Sequence, residues 1–122
     1  MRCMKMTTLL ICTVLLFAAC ATFQQMTPAK KYATYRTAFN VITKQYIAQA
    51  KLQPEDVRAK LREEVNPKIK DAEKALDKYY AALSLPNDDP DARLAFYLDL
   101  KTEILNLCLK YGLKIQEKEG AK

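Results

Sequence analysis

The chain has 122 residues, the size of one domain, and carries 20 basic against 14 acidic residues for a formal net charge of +6 at pH 7. It contains no histidine, no tryptophan and only two glycines. The commonest metal ligand and the usual acid–base group near neutral pH are therefore missing, and a glycine-rich phosphate loop is excluded.

A basic start and a short apolar run open the chain. Arg2 and Lys5 precede the run from Thr7 to Phe17, which has 11 residues. A helix that spans a bilayer needs about 20 apolar residues, whereas a secretory signal has about 7 to 15. The pattern therefore predicts a signal peptide at residues 1–19. An apolar helix of a soluble core is the alternative, although no polar face interrupts the run.

The run ends in Leu-Phe-Ala-Ala-Cys at residues 16–20. This segment resembles the lipobox of bacterial lipoprotein signals, in which small residues precede a cysteine. The resemblance covers this segment only, and it implies a diacylglycerol thioether on Cys20, cleavage after Ala19 and acylation of the new amino terminus. Because Phe17 replaces the usual aliphatic residue, an ordinary signal peptide is the alternative. Ala21 after the cysteine implies the outer membrane in a Gram-negative host.

We expect residues 20–27 to form the lipidated amino terminus and a tether. The seven residues of this tether, 21–27, reach at most about 25 Å, which would keep the domain close to its membrane. Residues 28–114 are expected to form a helical bundle domain, and residues 115–122 a charged tail. We expect the tail to fray from Leu113 onwards.

The first helix is predicted from Thr27, as the N-cap, and Pro28 to about Lys51. Its apolar residues recur at spacings of three and four, which indicates a packing face: Tyr32, Tyr35, Phe39, Ile42 and Tyr46.

The charged residues between Cys20 and Pro54 are all basic: Lys30, Lys31, Arg36, Lys44 and Lys51. We expect these side chains to face anionic lipid headgroups, where each contact contributes up to about 1 kcal/mol. The alternative is a solvated face that pairs with acidic residues of the later helices.

The second helix is predicted to begin at Leu52–Val57, with Leu52 packing on Val57 as a hydrophobic staple. Apolar residues continue in phase through Leu83 and across Pro67. We therefore predict one helix with a kink between Glu63 and Asn66, because proline lacks the N–H of an intrahelical bond. A clean break capped by Asn66 is the alternative.

The third helix is predicted from Pro90 to Tyr111 or Lys114, with Asp88 or Asp89 as its N-cap. It carries two apolar stripes, so it needs two neighbours. The predicted fold is all-α, a small antiparallel three-helix bundle with the second helix kinked near Pro67. If one stripe stays exposed, it forms a partner surface of four leucines: Leu94, Leu98, Leu105 and Leu109.

Cys108 is the one cysteine left once Cys3 and Cys12 leave with the signal and Cys20 carries lipid. We expect it to be a buried apolar residue. An intermolecular disulfide is the alternative. A catalytic thiol has no histidine to activate it.

These features favour a membrane-anchored lipoprotein with a structural or adaptor role, whose partner is an envelope protein or a second copy. Enzyme activity, cofactors, metals and nucleic acid are not expected. The available carboxylates, Glu63, Glu64, Glu73 and Glu103, cannot form the Glu-x-x-His pairs of a metal-binding bundle. Two further hypotheses are a phage-derived lipoprotein for lysis or superinfection exclusion, and an escort of an envelope protein that resembles the pilotins of secretins.

Overall fold

The computed structural model describes residues 27–117. The expected signal peptide, the lipidation site Cys20 and the tether up to residue 26 lie outside the described residues, as do residues 118–122 of the charged tail. The described part is helical and holds no strand. Its helices are α1 Pro28–Ala50, α2 Glu55–Glu64, α3 Asn66–Ser84 and α4 Pro90–Lys110. The all-α class and the helical bundle predicted from the sequence are confirmed.

The starts of α1 and α4 follow the capping rules. The Thr27 hydroxyl accepts a hydrogen bond from the Lys30 backbone N–H at 3.3 Å, and Pro28 occupies the first turn of α1. The Asp89 carboxylate accepts the N–H groups of Asp91 and Ala92 at 3.1 and 3.2 Å at the start of α4. Both caps satisfy N–H groups that have no partner inside their helix, and both N-cap predictions are confirmed.

Helices α2 and α3 are the two arms of one bent helix. Val65 joins them in a right-handed helical conformation; its N–H donates to the Leu61 carbonyl at 2.9 Å, and its carbonyl accepts from Ile69 at 3.0 Å. Asn66 makes no capping bond; its side chain accepts the Tyr46 hydroxyl at 2.6 Å instead. The predicted kink is therefore confirmed over a clean break, and α1 holds it in place.

The turn between α1 and α2 differs from expectation. Backbone N–H groups of Leu52 and Gln53 donate to the carbonyls of Gln49 and Ala50 at 3.1 and 3.2 Å, which closes a tight turn. This turn directs the Leu52 side chain outward, so that 84% of its surface is exposed. The predicted staple onto Val57 is therefore wrong: backbone bonding in the turn decides where this side chain goes.

The core lies where α3 meets α1 and α4, its two largest packing partners. The spacing of apolar residues on α1 places Phe39, Ile42 and Tyr46 in this core, as predicted. Aromatic edges meet there: the Tyr97 ring of α4 lies 5.8 Å from Phe39 and 6.3 Å from Tyr35, between ring centroids. Tyr35 also meets Tyr79 of α3 at 5.7 Å, so that one cluster of rings joins three helices.

The contact between α1 and α4 is smaller than a simple bundle predicts. It passes through the rings of Tyr35, Phe39 and Tyr97, whose bulk separates the two backbones. Residues that follow α4 occupy part of the space that remains.

Replacing Phe39 tests whether this ring cluster holds the bundle together. Phe39 has no exposed surface, so Phe39→Ala should lower the free energy of unfolding by about 3–5 kcal/mol through lost burial and the cavity left behind. Urea unfolding followed by circular dichroism measures this loss. Phe96→Ala on α4 is the matched control, because Phe96 is 56% exposed and should cost less than about 1 kcal/mol. Equal losses in both variants would contradict the described core.

Candidate functional site

Cys20, the predicted lipidation site, lies outside the described residues. The basic residues of α1 and of its C-cap, Lys51, divide into two groups. Lys30, Lys44 and Lys51 are exposed, whereas Lys31 and Arg36 are half-buried. Arg36 lies close to Tyr97, where its positive charge partly offsets the burial that raises the pKa of that tyrosine to about 12. Three of the five basic side chains therefore remain fully available to an anionic surface.

The four leucines of the predicted partner surface are also divided. Leu94 and Leu98 are half-buried and pack against the core. Leu105 is half-buried, whereas Leu109 is 70% exposed, the largest exposed fraction among the large apolar side chains of α4. The surface that remains open to a partner is therefore the last two turns of α4, and not a stripe along the whole helix.

Residues after α4 do not fray where the sequence led us to expect it. Gly112 takes φ +80°, a left-handed conformation that glycine adopts without strain. The N–H of Leu113 then donates to the Cys108 carbonyl at 2.9 Å and that of Gly112 to the Leu109 carbonyl at 3.0 Å. This pair of bonds is a Schellman motif, which ends α4 and turns Leu113 back into the core with 1% of its surface exposed.

Two glutamines of α1 hold the segment that follows. Gln45 donates to the Gln116 carbonyl at 2.6 Å and accepts the Gln116 N–H at 2.8 Å. One helical turn later, Gln49 makes the same pair of bonds to Lys114, with the N–H donated at 2.7 Å. Two side-chain amides at i and i+4 thus bind alternate backbone units of an extended segment, in the way that a neighbouring strand would.

The segment 113–117 and the end of α4 enclose an apolar groove of about 440 Å³. Its apolar lining combines two leucines of α4 with two side chains of the segment: Leu105, Leu109, Leu113 and Ile115. Lys101 of α4 pairs with Glu117 at 3.5 Å beyond it. The groove was not predicted, because its second wall is held by glutamines that are remote in sequence and carry no recognisable pattern.

Cys108 is buried, with 1% of its surface exposed, as the sequence predicts. Burial raises the pKa of its thiol to about 11. The thiol is therefore protonated at neutral pH, and a protonated thiol is a poor nucleophile. Its position in the core also keeps it from reaching another chain.

Two of the four available carboxylates are engaged in contacts between helices. Glu64 accepts the Tyr111 hydroxyl, and Glu103 pairs with Lys68 at 2.5 Å. Within residues 27–117, no three acidic or cysteine side chains converge in a way that could hold a metal ion. Over the same residues, no helix combines the length and the apolar character needed to cross a membrane.

Substitution of Gly112 tests the turn that forms the groove. Gly112→Ala should lower the free energy of unfolding by about 1–2 kcal/mol, because alanine resists the left-handed conformation. No described heavy atom lies within 4 Å of a Cβ placed there, so steric clash adds nothing to this cost. Gly112→Asn is the matched control and should lose less, since asparagine tolerates this conformation. Thermal unfolding measures both; equal stability of all three proteins would rule out the turn.

Alkylation of Cys108 tests its burial. Iodoacetamide at pH 8 should modify this thiol slowly in the folded protein and rapidly in about 6 M guanidinium chloride. Unfolding exposes the thiol and restores its ordinary pKa of about 8.5. Mass spectrometry of the Cys108 peptide separates it from the other cysteines. Fast modification without denaturant would show that the thiol is accessible.

The comparisons with known proteins supply no relative. No family model matches the chain, and neither the curated proteins nor the solved structures contain a match.

Proposed function

We propose that this protein is a bacterial envelope lipoprotein, anchored through lipid on Cys20 and facing the periplasm from the outer membrane. The support is the lipobox-like segment 16–20 together with the start of α1 at Pro28, only a seven-residue tether away. More than one acyl chain on a single residue gives stable attachment, and so short a tether keeps α1 within about 25 Å of the lipid.

The domain acts as a non-catalytic adaptor that binds another envelope protein. The observation that carries this role is the groove beside α4, where Leu109 is 70% exposed between Leu105 and Ile115. An apolar side chain from a partner helix would gain about 25 cal/mol for each Å² that it buries here. The pinned segment 113–117 keeps the groove formed before a partner arrives, which lowers the entropic cost of binding.

An antiparallel course of the helices belongs to this proposal. Tyr32, near the start of α1, contacts Tyr80 near the end of α3, with ring centroids 4.8 Å apart. Tyr46, near the end of α1, bonds Asn66 at the start of α3. Contacts in this order support opposite directions for α1 and α3, the arrangement of an up-and-down bundle.

Photocrosslinking from the groove tests the adaptor role. A photoreactive residue at Leu105, in the membrane-bound protein, should form an adduct with one defined envelope protein. Leu109→Lys should reduce that adduct about tenfold or more, because a lysine there places a charge in the apolar contact. Phe96→Lys is the matched control: it adds the same charge to an exposed apolar position of α4 outside the groove.

An adduct between two copies would assign the groove to self-association instead of an adaptor. Equal crosslinking in both lysine variants would contradict a role for the groove.

The anchor is tested separately: Cys20→Ser should move the protein from the membrane to the soluble fraction, and mass spectrometry should find lipid on the Cys20 peptide of the unaltered protein. A Cys20 peptide without lipid would overturn the proposed anchor but would not bear on the proposed role of the groove.

A further inference from the structure

A second depression lies on the other side of α1, where its last turns meet α2 and the bend. It encloses about 280 Å³. Three of its lining residues are basic, Lys51, Arg58 and Arg62, and its apolar wall includes Ile47 and Leu61. We call this depression the basic pocket. Cationic and apolar surface in one cavity suits a ligand that has both an anionic group and an apolar part.

The positive charge in the basic pocket exceeds what its neighbours neutralise. Arg58 and Arg62 are four residues apart and therefore project from one face of α2. Both guanidinium groups contact the same carboxylate, that of Glu55, at 2.6 and 2.8 Å. Lys51 adds a third cation, and it makes no ion pair within residues 27–117. One carboxylate shared by two guanidinium groups leaves a net charge of +2 at the pocket.

The Arg58 side chain also has unused bonding capacity. Its Nε is buried and has no hydrogen-bond partner among the described residues. Glu55, by contrast, is 66% exposed in its side chain and does not line the pocket, so it occupies the outer side of the two guanidinium groups. The planar guanidinium fork matches the geometry of carboxylate and phosphate oxygens, so a phosphate group is a fitting anion.

Apolar surface extends outward from the same end of the molecule. Leu52 is 84% exposed and Ile47 is 48% exposed. Lys44, Ile47 and Lys51 recur at spacings of three and four, so that they form one strip along the end of α1 and its C-cap, next to the pocket. An exposed leucine next to the strip that carries Lys44 and Lys51 is a combination suited to the interface of an anionic bilayer, where the apolar side chain enters and the cations meet headgroups.

We propose that the basic pocket binds the phosphate group of an anionic phospholipid, with Arg58, Arg62 and Lys51 at the phosphate and Leu52 in the interfacial region. This site is separate from the groove beside α4 and from lipid on Cys20. The pocket recognises a phosphate oxygen and an adjoining apolar part of its ligand. A phospholipid has both, whereas inorganic phosphate has only the phosphate oxygen.

The absence of tryptophan from the sequence allows a local readout in the full chain. Leu52→Trp introduces a single tryptophan at an exposed position. Vesicles of phosphatidylglycerol and phosphatidylcholine should shift its emission to shorter wavelength, whereas vesicles of phosphatidylcholine alone should not. Because the emission reports the surroundings of residue 52, attachment of the amino-terminal region to either vesicle does not mimic the result, and lipidation of Cys20 is not required.

Removing the two arginines tests the pocket itself. Arg58→Gln with Arg62→Gln, in the Leu52→Trp background, should weaken the phosphatidylglycerol response about tenfold or more, since each cation near an anionic surface contributes separately. Lys60→Gln with Lys70→Gln is the matched control: it removes the same charge from exposed positions outside the pocket and should change the response less. Circular dichroism confirms that each variant is folded.

The outcomes separate the sources of phosphate. If inorganic phosphate alone raises the unfolding temperature of the protein, but not of the double-arginine variant, while vesicles leave the emission unchanged, the pocket binds free phosphate and the lipid assignment is overturned. Equal emission shifts with both vesicle types, or equal responses in the two charge-removal variants, would overturn the pocket. Loss of membrane anchoring in Cys20→Ser, with the emission shift retained, would support both proposals independently.

Discussion

The Tyr97 ring of α4 lies between α4 and α1, and it is almost fully buried against the rings of Tyr35 and Phe39. Three large rings between two helices keep their backbones apart, since interiors are packed to the density of crystals and rings cannot be compressed. The space further along α1 must then be filled by something other than α4. The segment 113–117 fills it, and the groove exists because of that arrangement.

The last two turns of α1 serve two surfaces at once. Gln45 and Gln49 face the segment 113–117, whereas Ile47 and Lys51 face the basic pocket. Tyr46, between them, bonds the bend at Asn66. A change in the tilt of this end of α1 would therefore alter both surfaces together, so that the proposed membrane contact and the proposed partner contact would be coupled.

Local sequence rules predicted the helix starts, the bend and the buried face of α1, because each depends on residues within one or two turns. Thr27 and Asp89 cap their helices as expected, and Pro67 bends its helix without ending it. The burial of Cys108 also followed from helical spacing. The predictions that failed concern partners remote in sequence. Gln45 and Gln49 have the pattern of ordinary polar helix residues, and no residue near Leu113 indicated that these glutamines bind its neighbours. The predicted staple of Leu52 onto Val57 failed for a different reason, since the backbone bonds of a tight turn outweighed a weak apolar contact. Of the three basic residues in the basic pocket, Lys51 was singled out from the sequence, because it belongs to the run of bases before Pro54, whereas Arg58 and Arg62 were not.

The aromatic cluster also determines how the molecule can be observed. Without tryptophan, near-ultraviolet circular dichroism of the protein comes mainly from its tyrosines, and Tyr79 and Tyr97 lie in asymmetric, buried surroundings where three helices meet. That signal therefore reports the docking of α1, α3 and α4, whereas the far-ultraviolet signal reports their helicity. A state that kept the second signal and lost the first would have intact helices that no longer pack together.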